Sequence, residues 1–301
     1  VTTAAAATTV HDTRQSGVAA TLGAIVGLSL GSTLVKKVGA PGPVVAFWRL
    51  TFGTVIWQVI LASQHKRATW AEVRRVAPAG VLFGVDLVLF FTAVRLTRVA
   101  NAEFIGTLAA VFVVPIAALV FHEKLRWSAT MFGVTALGGV AIILFSSPSH
   151  SGGHKILGDV LAFCAMLSWV CYLLVAKRVR ATVDTDVFMG TVAAIATVVV
   201  APFAIAGGKI GSLTASGWLL TLALAVITGT IAHGLLAWAQ RHVDVSVISI
   251  LALGQPGLAA FWAFTLLHEA VRGVQIVGMV LVVLSLVAFT LMARPRSLGA
   301  S

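Results

Sequence analysis

FHEKLR at 121–126 and LHEAVR at 267–272 are one short motif written twice, 146 positions apart. Working outward, LAWAQRHVDV at 236–245 falls opposite FFTAVRLTRV at 90–99, so Arg95 and Arg241 keep the offset that relates Glu123 to Glu269. Nearer the two starts the offset is 141, where LVKKV at 34–38 meets VAKRV at 175–179, and a difference in loop length accounts for the change. The chain is therefore an internal duplication with a long period.

Composition says what was duplicated. Of 301 residues, 59% are hydrophobic and 10% charged, whereas a soluble domain is roughly half apolar and a quarter charged. A soluble fold is excluded. A helix needs about 20 mostly apolar residues to cross hydrocarbon. Ten such stretches can be marked, at 18–38, 43–63, 75–95, 99–121, 127–146, 157–177, 186–206, 217–238, 245–267 and 273–293. Segments such as GVTALGGVAIILF at 133–145 are apolar on every face, unlike the alternating strands of a membrane barrel. Helices, which satisfy their own backbone, are predicted instead.

The expected fold class is an all-α membrane protein of ten transmembrane helices. They form two repeats at 17–146 and 157–293, joined by a loop at 147–156 and flanked by tails at 1–16 and 294–301. Five helices per repeat is an odd number, so the second copy enters from the opposite side of the bilayer. A pseudo-two-fold axis in the membrane plane relates the halves, an architecture suited to alternating access. Residues 1–16 lack the apolar core of a signal peptide, and the first run is expected to be a retained span.

The formal charge is +11, which raises nucleic acid as a partner. The bases, however, sit in short breaks between apolar runs, as the positive-inside bias and anionic headgroups require. The lipid bilayer is the expected partner, and nucleic acid is not. With the N-terminus inside, thirteen Lys and Arg, including Lys66, Lys177, Arg178, Arg180 and Arg294, face the cytoplasm. Seven, including Lys155 and Lys209, face outward, and Arg49 completes the 21. Both termini are thus placed in the cytoplasm of a multi-pass protein of the cell inner (plasma) membrane. Cys164 and Cys171, about 10 Å apart along one helix, are too distant for a disulfide and read as packing residues.

At this point the sequence resembles the drug/metabolite transporter superfamily, in its ten-helix branch with two EamA-type repeats. VSVISILALGQPGLAAFWAFTLLHEAV at 245–271 is similar to the ninth helix of that family, with Pro256 ahead of Glu269. The first copy departs from it, with Ala110 at the proline position and Pro115 later. His122 and His268 stand where the family often has Gly. The resemblance implies exporters of amino acids and related metabolites, with distant relatives that carry nucleotide sugars or triose phosphates.

Few residues carry chemistry inside the spans. Asp86 is near the centre of the third, and Glu103 is about a turn inside the fourth. An intramembrane acid is costly unless it is protonated, paired or facing water, so both are candidates for substrate binding or coupling. Arg49, the one deep base, lies at a depth similar to Glu103, where it either packs as an ion pair or meets a substrate carboxylate. His233 is one residue from the repeat counterpart of Asp86, which suggests proton coupling. Its bland reading is a hydrogen-bonded core histidine. Trp169, Tyr172 and Trp238 either face lipid or line a cavity, with Gln240 beside Trp238. Gln255, Pro256 and Gly257 are expected to break the ninth helix, as a kink or to free a carbonyl.

Other motifs fail. HEKLR is not the zinc-binding HExxH, and GGKIGS at 207–212 lacks P-loop spacing. SHSGGH at 149–154 offers no convincing metal partner. Glu123 and Glu269 are better placed to cap the helices that follow them. No metal, cofactor or ATP coupling is called for. The expected function is a secondary transporter or facilitator exporting small metabolites, mostly uncharged overall and above all amino acids. One deep base argues against phosphate substrates. The rival classes are a membrane-embedded enzyme built on Asp86 and His233, and a non-transporting scaffold.

Overall fold

Segments that are apolar on all sides gain nothing from facing water, so each helix divides its surface between neighbouring helices and lipid. The structure is a computed structural model, and it describes residues 2–97, 99–122, 127–145, 155–208, 210–268 and 273–292. The first span comprises α1 (Thr2–Ser29) and α2 (Gly31–Val38), the second α3 (Gly42–Ser63) and the third α4 (Trp70–Leu96). The fourth is α5 (Val99–Thr107) with α6 (Ala109–Phe121), and the fifth is α7 (Trp127–Phe145).

In the second repeat α8 (Lys155–Arg180) is the sixth span and α9 (Thr185–Ala206) the seventh. The eighth runs from α10 (Ala215–Ala223) through a π-helical stretch, Leu224–Ala232, into α11 (His233–His242). The ninth is α12 (Val245–Leu251), a 3-10 turn at Ala252–Gly254 and α13 (Gln255–Leu267), and α14 (Gly273–Met292) is the tenth. Among the described residues, eight of these spans are long and apolar enough to cross a membrane; α7 and α14 are the remaining apolar helices. The fold is the expected all-α bundle of two inverted repeats.

The duplication is legible in the packing. Gly42–Ser63 and Thr185–Ala206 are both 22 residues long. Thr54 and Thr197, separated by 143 positions, share a hydroxyl hydrogen bond of 3.0 Å. Since the two helices also start 143 apart, these threonines are repeat counterparts meeting at the pseudo-two-fold axis. The second span packs on the seventh, the fourth on the ninth and the fifth on the tenth. The third packs on the sixth as the eighth packs on the first. Exchanging the halves maps this neighbour pattern onto itself.

Close approach depends on small residues, as it does wherever helices associate without a hydrophobic drive. A Cβ at Gly80 would stand 2.7 Å from the Cβ of Ile195, and one at Gly84 would stand 3.0 Å from that of Val199. Glycines four residues apart thus seat the third span on the seventh. The third span starts at a capping box, in which Thr69 Oγ1 accepts from the Glu72 amide and Glu72 accepts from the Thr69 amide at 2.8 Å. His122 and His268 end α6 and α13 at φ 52° and 55°, left-handed positions that favour glycine. Glu123, Glu269 and the SHSGGH stretch lie outside the described residues.

Two expectations are corrected. Cys164 and Cys171 are exposed beside the exposed Phe163 and Leu167, because α8 turns its other side to α4 and α5. They are on the outer surface and do not pack the core. Arg180, read as a loop cation, is fully buried. Its guanidinium donates to the Ala237 and Val183 carbonyls and to Thr185 Oγ1, and it lies 5.7 Å from the Phe188 ring. A buried guanidinium needs such a set of acceptors.

Gly84→Leu is expected to cost about 1–3 kcal/mol through overpacking, read as a lower melting temperature in detergent. Gly53→Ala is the control: its new Cβ meets nothing within 4 Å, and it is expected not to lower the melting temperature, since Ala is the better helix former.

Candidate functional site

Where helices of opposite repeats meet, their breaks leave a cavity of about 150 Å³. The first repeat contributes α1 and α2 through Ile25, Leu28 and Ser32, α3 through Arg49, α4 through Asp86, Phe90 and Phe91, and α5 through Glu103. The second contributes Met166, Trp169 and Leu173 of α8, Thr228 and His233 of the eighth span, and Ser249, Ala252 and Gln255 of the ninth. Glu103 and Ser249, Gly106 and Ala252, and Ala109 and Gln255 are related by the offset of 146, and all six line the cavity. The fourth and ninth spans thus present equivalent walls.

The breaks differ in their local sequence. The fourth span is interrupted at Leu108, with no proline at that point. The ninth loosens at Ala252–Gly254, before Gln255 and Pro256, and Pro256 occupies the second position of the helix that restarts there. The break therefore precedes the expected Gln255-Pro256-Gly257 position, and Pro256 initiates α13, a place where its missing N–H costs nothing. The π stretch carries Thr228 and Thr230, whose hydroxyls donate to the carbonyls of Leu224 at 2.8 Å and Ala225 at 2.9 Å. Helical wide turns of this kind recur at functional sites.

The electrostatics of the cavity are unbalanced. Arg49 is 2% exposed; its Nε donates to Thr228 Oγ1 at 3.1 Å, while Nη1 has no partner. The guanidinium carbon lies 5.9 Å and 5.6 Å from the ring centroids of Phe83 and Phe91, within cation–π range. Asp86 is partly exposed to the cavity, and the Arg49 charge reaches it. Glu103 is 3% exposed and accepts from Gln255 Nε2 at 3.0 Å. Ser32 approaches Glu103 without a well-formed hydrogen bond, and the second carboxylate oxygen, Oε1, is unpartnered. His233 Nδ1 and Ser249 Oγ are likewise buried without partners. Donors and acceptors are thus held free in a place where each costs energy to leave unmade.

The expected pairing of Arg49 with Glu103 is not made. Both line the cavity, but Arg49 bonds Thr228 and is attracted by Asp86, and Glu103 bonds Gln255. Depth along the helix axis agreed; the faces they present did not bring them into contact. His233 stands edge-on to Phe83 at 4.8 Å and to Trp169 at 5.8 Å. Trp169 lines the cavity, and Tyr172 stacks behind it at 5.0 Å. Trp238 lies elsewhere, stacked on His242 at 4.1 Å.

Trp238 belongs to an open groove at the Lys66 end of the bundle, with Trp57, Ile231 and Leu235. Two ion pairs border it, Lys66 to Asp186 at 2.8 Å and Arg241 to Asp184 at 3.4 Å. Asp186 holds the Lys66 ammonium above its ordinary pKa through that hydrogen bond. Lys177 Nζ donates to the carbonyls of Gln240 and Val243, each at 2.8 Å.

The model of the EamA-like transporter family matches residues 15–145 and 156–291, one copy per repeat. The chain belongs to that family. The pseudopaline exporter CntI of Pseudomonas aeruginosa is 23% identical over 284 residues, spanning 93% of this chain and 98% of its own. An uncharacterized transporter of Archaeoglobus fulgidus is 23% identical over 73% of this chain and 75% of its own. A crystal structure of a protein 21% identical superposes with a TM-score of 0.78 over 93% of this chain and 99% of that one, a likeness of fold.

In this EamA chain the cavity residues Thr228 and Phe91, and Phe83 beside Arg49, escaped the sequence reading. They carry no mark in a run of apolar and small residues. Ser249 was within reach, because the repeat offset places it at the Glu103 position. Thr228→Val keeps the shape and removes the acceptor of the Arg49 Nε hydrogen bond, leaving that Nε buried and unmade. The expected loss is about 1–3 kcal/mol, measured as a lower melting temperature, whereas Thr228→Ser is expected to retain the wild-type value.

Proposed function

We propose that this chain is a secondary transporter or facilitator that exports small metabolites, amino acids or related compounds, by alternating access around the central cavity. The observation that carries the reading is the cavity itself: it lies between two inverted repeats and holds a guanidinium and two carboxylates with unused hydrogen-bonding capacity. Arg49 Nη1 would take a substrate carboxylate. The broken fourth, eighth and ninth spans are where the helices rock. Asp86, partly open to the cavity, takes up a proton from one side and releases it to the other as access alternates, with His233 nearby. One deep base disfavours sugar phosphates and nucleotide sugars, and the export of pseudopaline by the CntI relative favours a small-metabolite cargo. The membrane is the cell inner membrane, with both termini in the cytoplasm.

Asp86→Asn preserves volume and removes the exchangeable proton. In proteoliposomes it is expected to abolish uphill accumulation of labelled amino acids while retaining some exchange; unchanged rate, pH profile and gradient dependence would make Asp86 a structural acid. Orientation is checked by single cysteines introduced in a background lacking Cys164 and Cys171. From outside sealed cells, cysteines replacing Lys155 and Lys209 are expected to react and those replacing Lys66 and Arg294 to stay unlabelled.

A further inference from the structure

We infer that the transported substrate is a diamino monocarboxylate, an α-amino acid whose side chain ends in a second ammonium group. This rests on the transport reading and adds the charge of the cargo. Among the described residues, the charges facing the cavity are Arg49 from the second span, Asp86 from the third and Glu103 from the fourth. His233 from the eighth is the remaining titratable wall residue. The first, sixth and ninth spans present Ser32, Trp169, Ser249 and Gln255, which carry no charge. The protein therefore brings two carboxylates and one guanidinium to the same space.

The distribution matters as much as the count. Arg49 and Asp86 attract each other across the cavity. Glu103 is bonded only by neutral groups, feels no cation among the described residues, and keeps Oε1 free. Taking a carboxylate out of water without a counter-charge costs several kcal/mol, and an incoming ammonium removes that penalty. The α-carboxylate then meets Arg49 Nη1, the α-ammonium meets Asp86, and the side-chain ammonium meets Glu103 Oε1. Phe90, Phe91 and Leu173 cover the methylene chain between the charged ends.

Three ligands separate the contributions: L-lysine, L-norleucine, which lacks only the side-chain ammonium, and cadaverine, which lacks the carboxylate. Titration calorimetry on the purified full chain is expected to rank L-lysine at least tenfold tighter than either of the others. Glu103→Gln is expected to weaken L-lysine at least tenfold and leave L-norleucine unchanged or tighter. Arg49→Gln should weaken both amino acids and spare cadaverine. Norleucine binding as tightly as lysine to the wild type overturns the inference, and that ranking needs no variant to fold. Glu103→Gln, folded by its melting curve, that keeps the lysine preference overturns it as well. Proteoliposomes that carry neutral amino acids and not L-lysine refute the substrate class and leave the transport reading standing; failure to carry any of the amino acids refutes both.

Discussion

A peptide group in hydrocarbon has no water to bond, so every backbone donor and acceptor at membrane depth must be satisfied by the protein or face a wet cavity. This constraint orders the whole molecule. The second, third, sixth and seventh spans are continuous helices. The interruptions at Leu30, Leu108, Leu224–Ala232 and Ala252–Gly254 occur in the first, fourth, eighth and ninth spans, all of which line the cavity. Irregular backbone is thus concentrated in spans that line the cavity.

The second consequence concerns charge. A guanidinium as buried as Arg49 is tolerated because Thr228, two aromatic faces and the Asp86 charge surround it, and Thr228 belongs to the opposite repeat. The two halves are therefore joined at the cavity by polar contacts, Arg49 to Thr228 and Glu103 to Gln255, as well as by glycine-mediated packing farther out. Beside these contacts, Arg49 Nη1 and Glu103 Oε1 are left without partners. At the Lys66 end, by contrast, Arg180 has all of its acceptors within its own repeat, which suits a fixed joint between the sixth, seventh and eighth spans.

Much of this architecture was legible in the chain. All-round apolar runs and the repeated FHEKLR and LHEAVR motifs determined ten helices in two inverted copies, because hydropathy and duplication are local or one-dimensional properties. Cost arguments likewise singled out Asp86, Glu103 and Arg49, since a charge within a span stands out whatever its neighbours are. Only the tertiary structure decided which of these meet. Depth along a helix can be counted from residue numbers, but the face a side chain presents depends on helix packing. Arg49 therefore turned to Thr228 and away from Glu103, Trp169 took the cavity wall, and Trp238 took a separate groove. Thr228 and Ser249 are ordinary small polar residues until folding places them against a buried charge or an open cavity. Their role arises from desolvation, which belongs to the assembled bundle and to no residue alone.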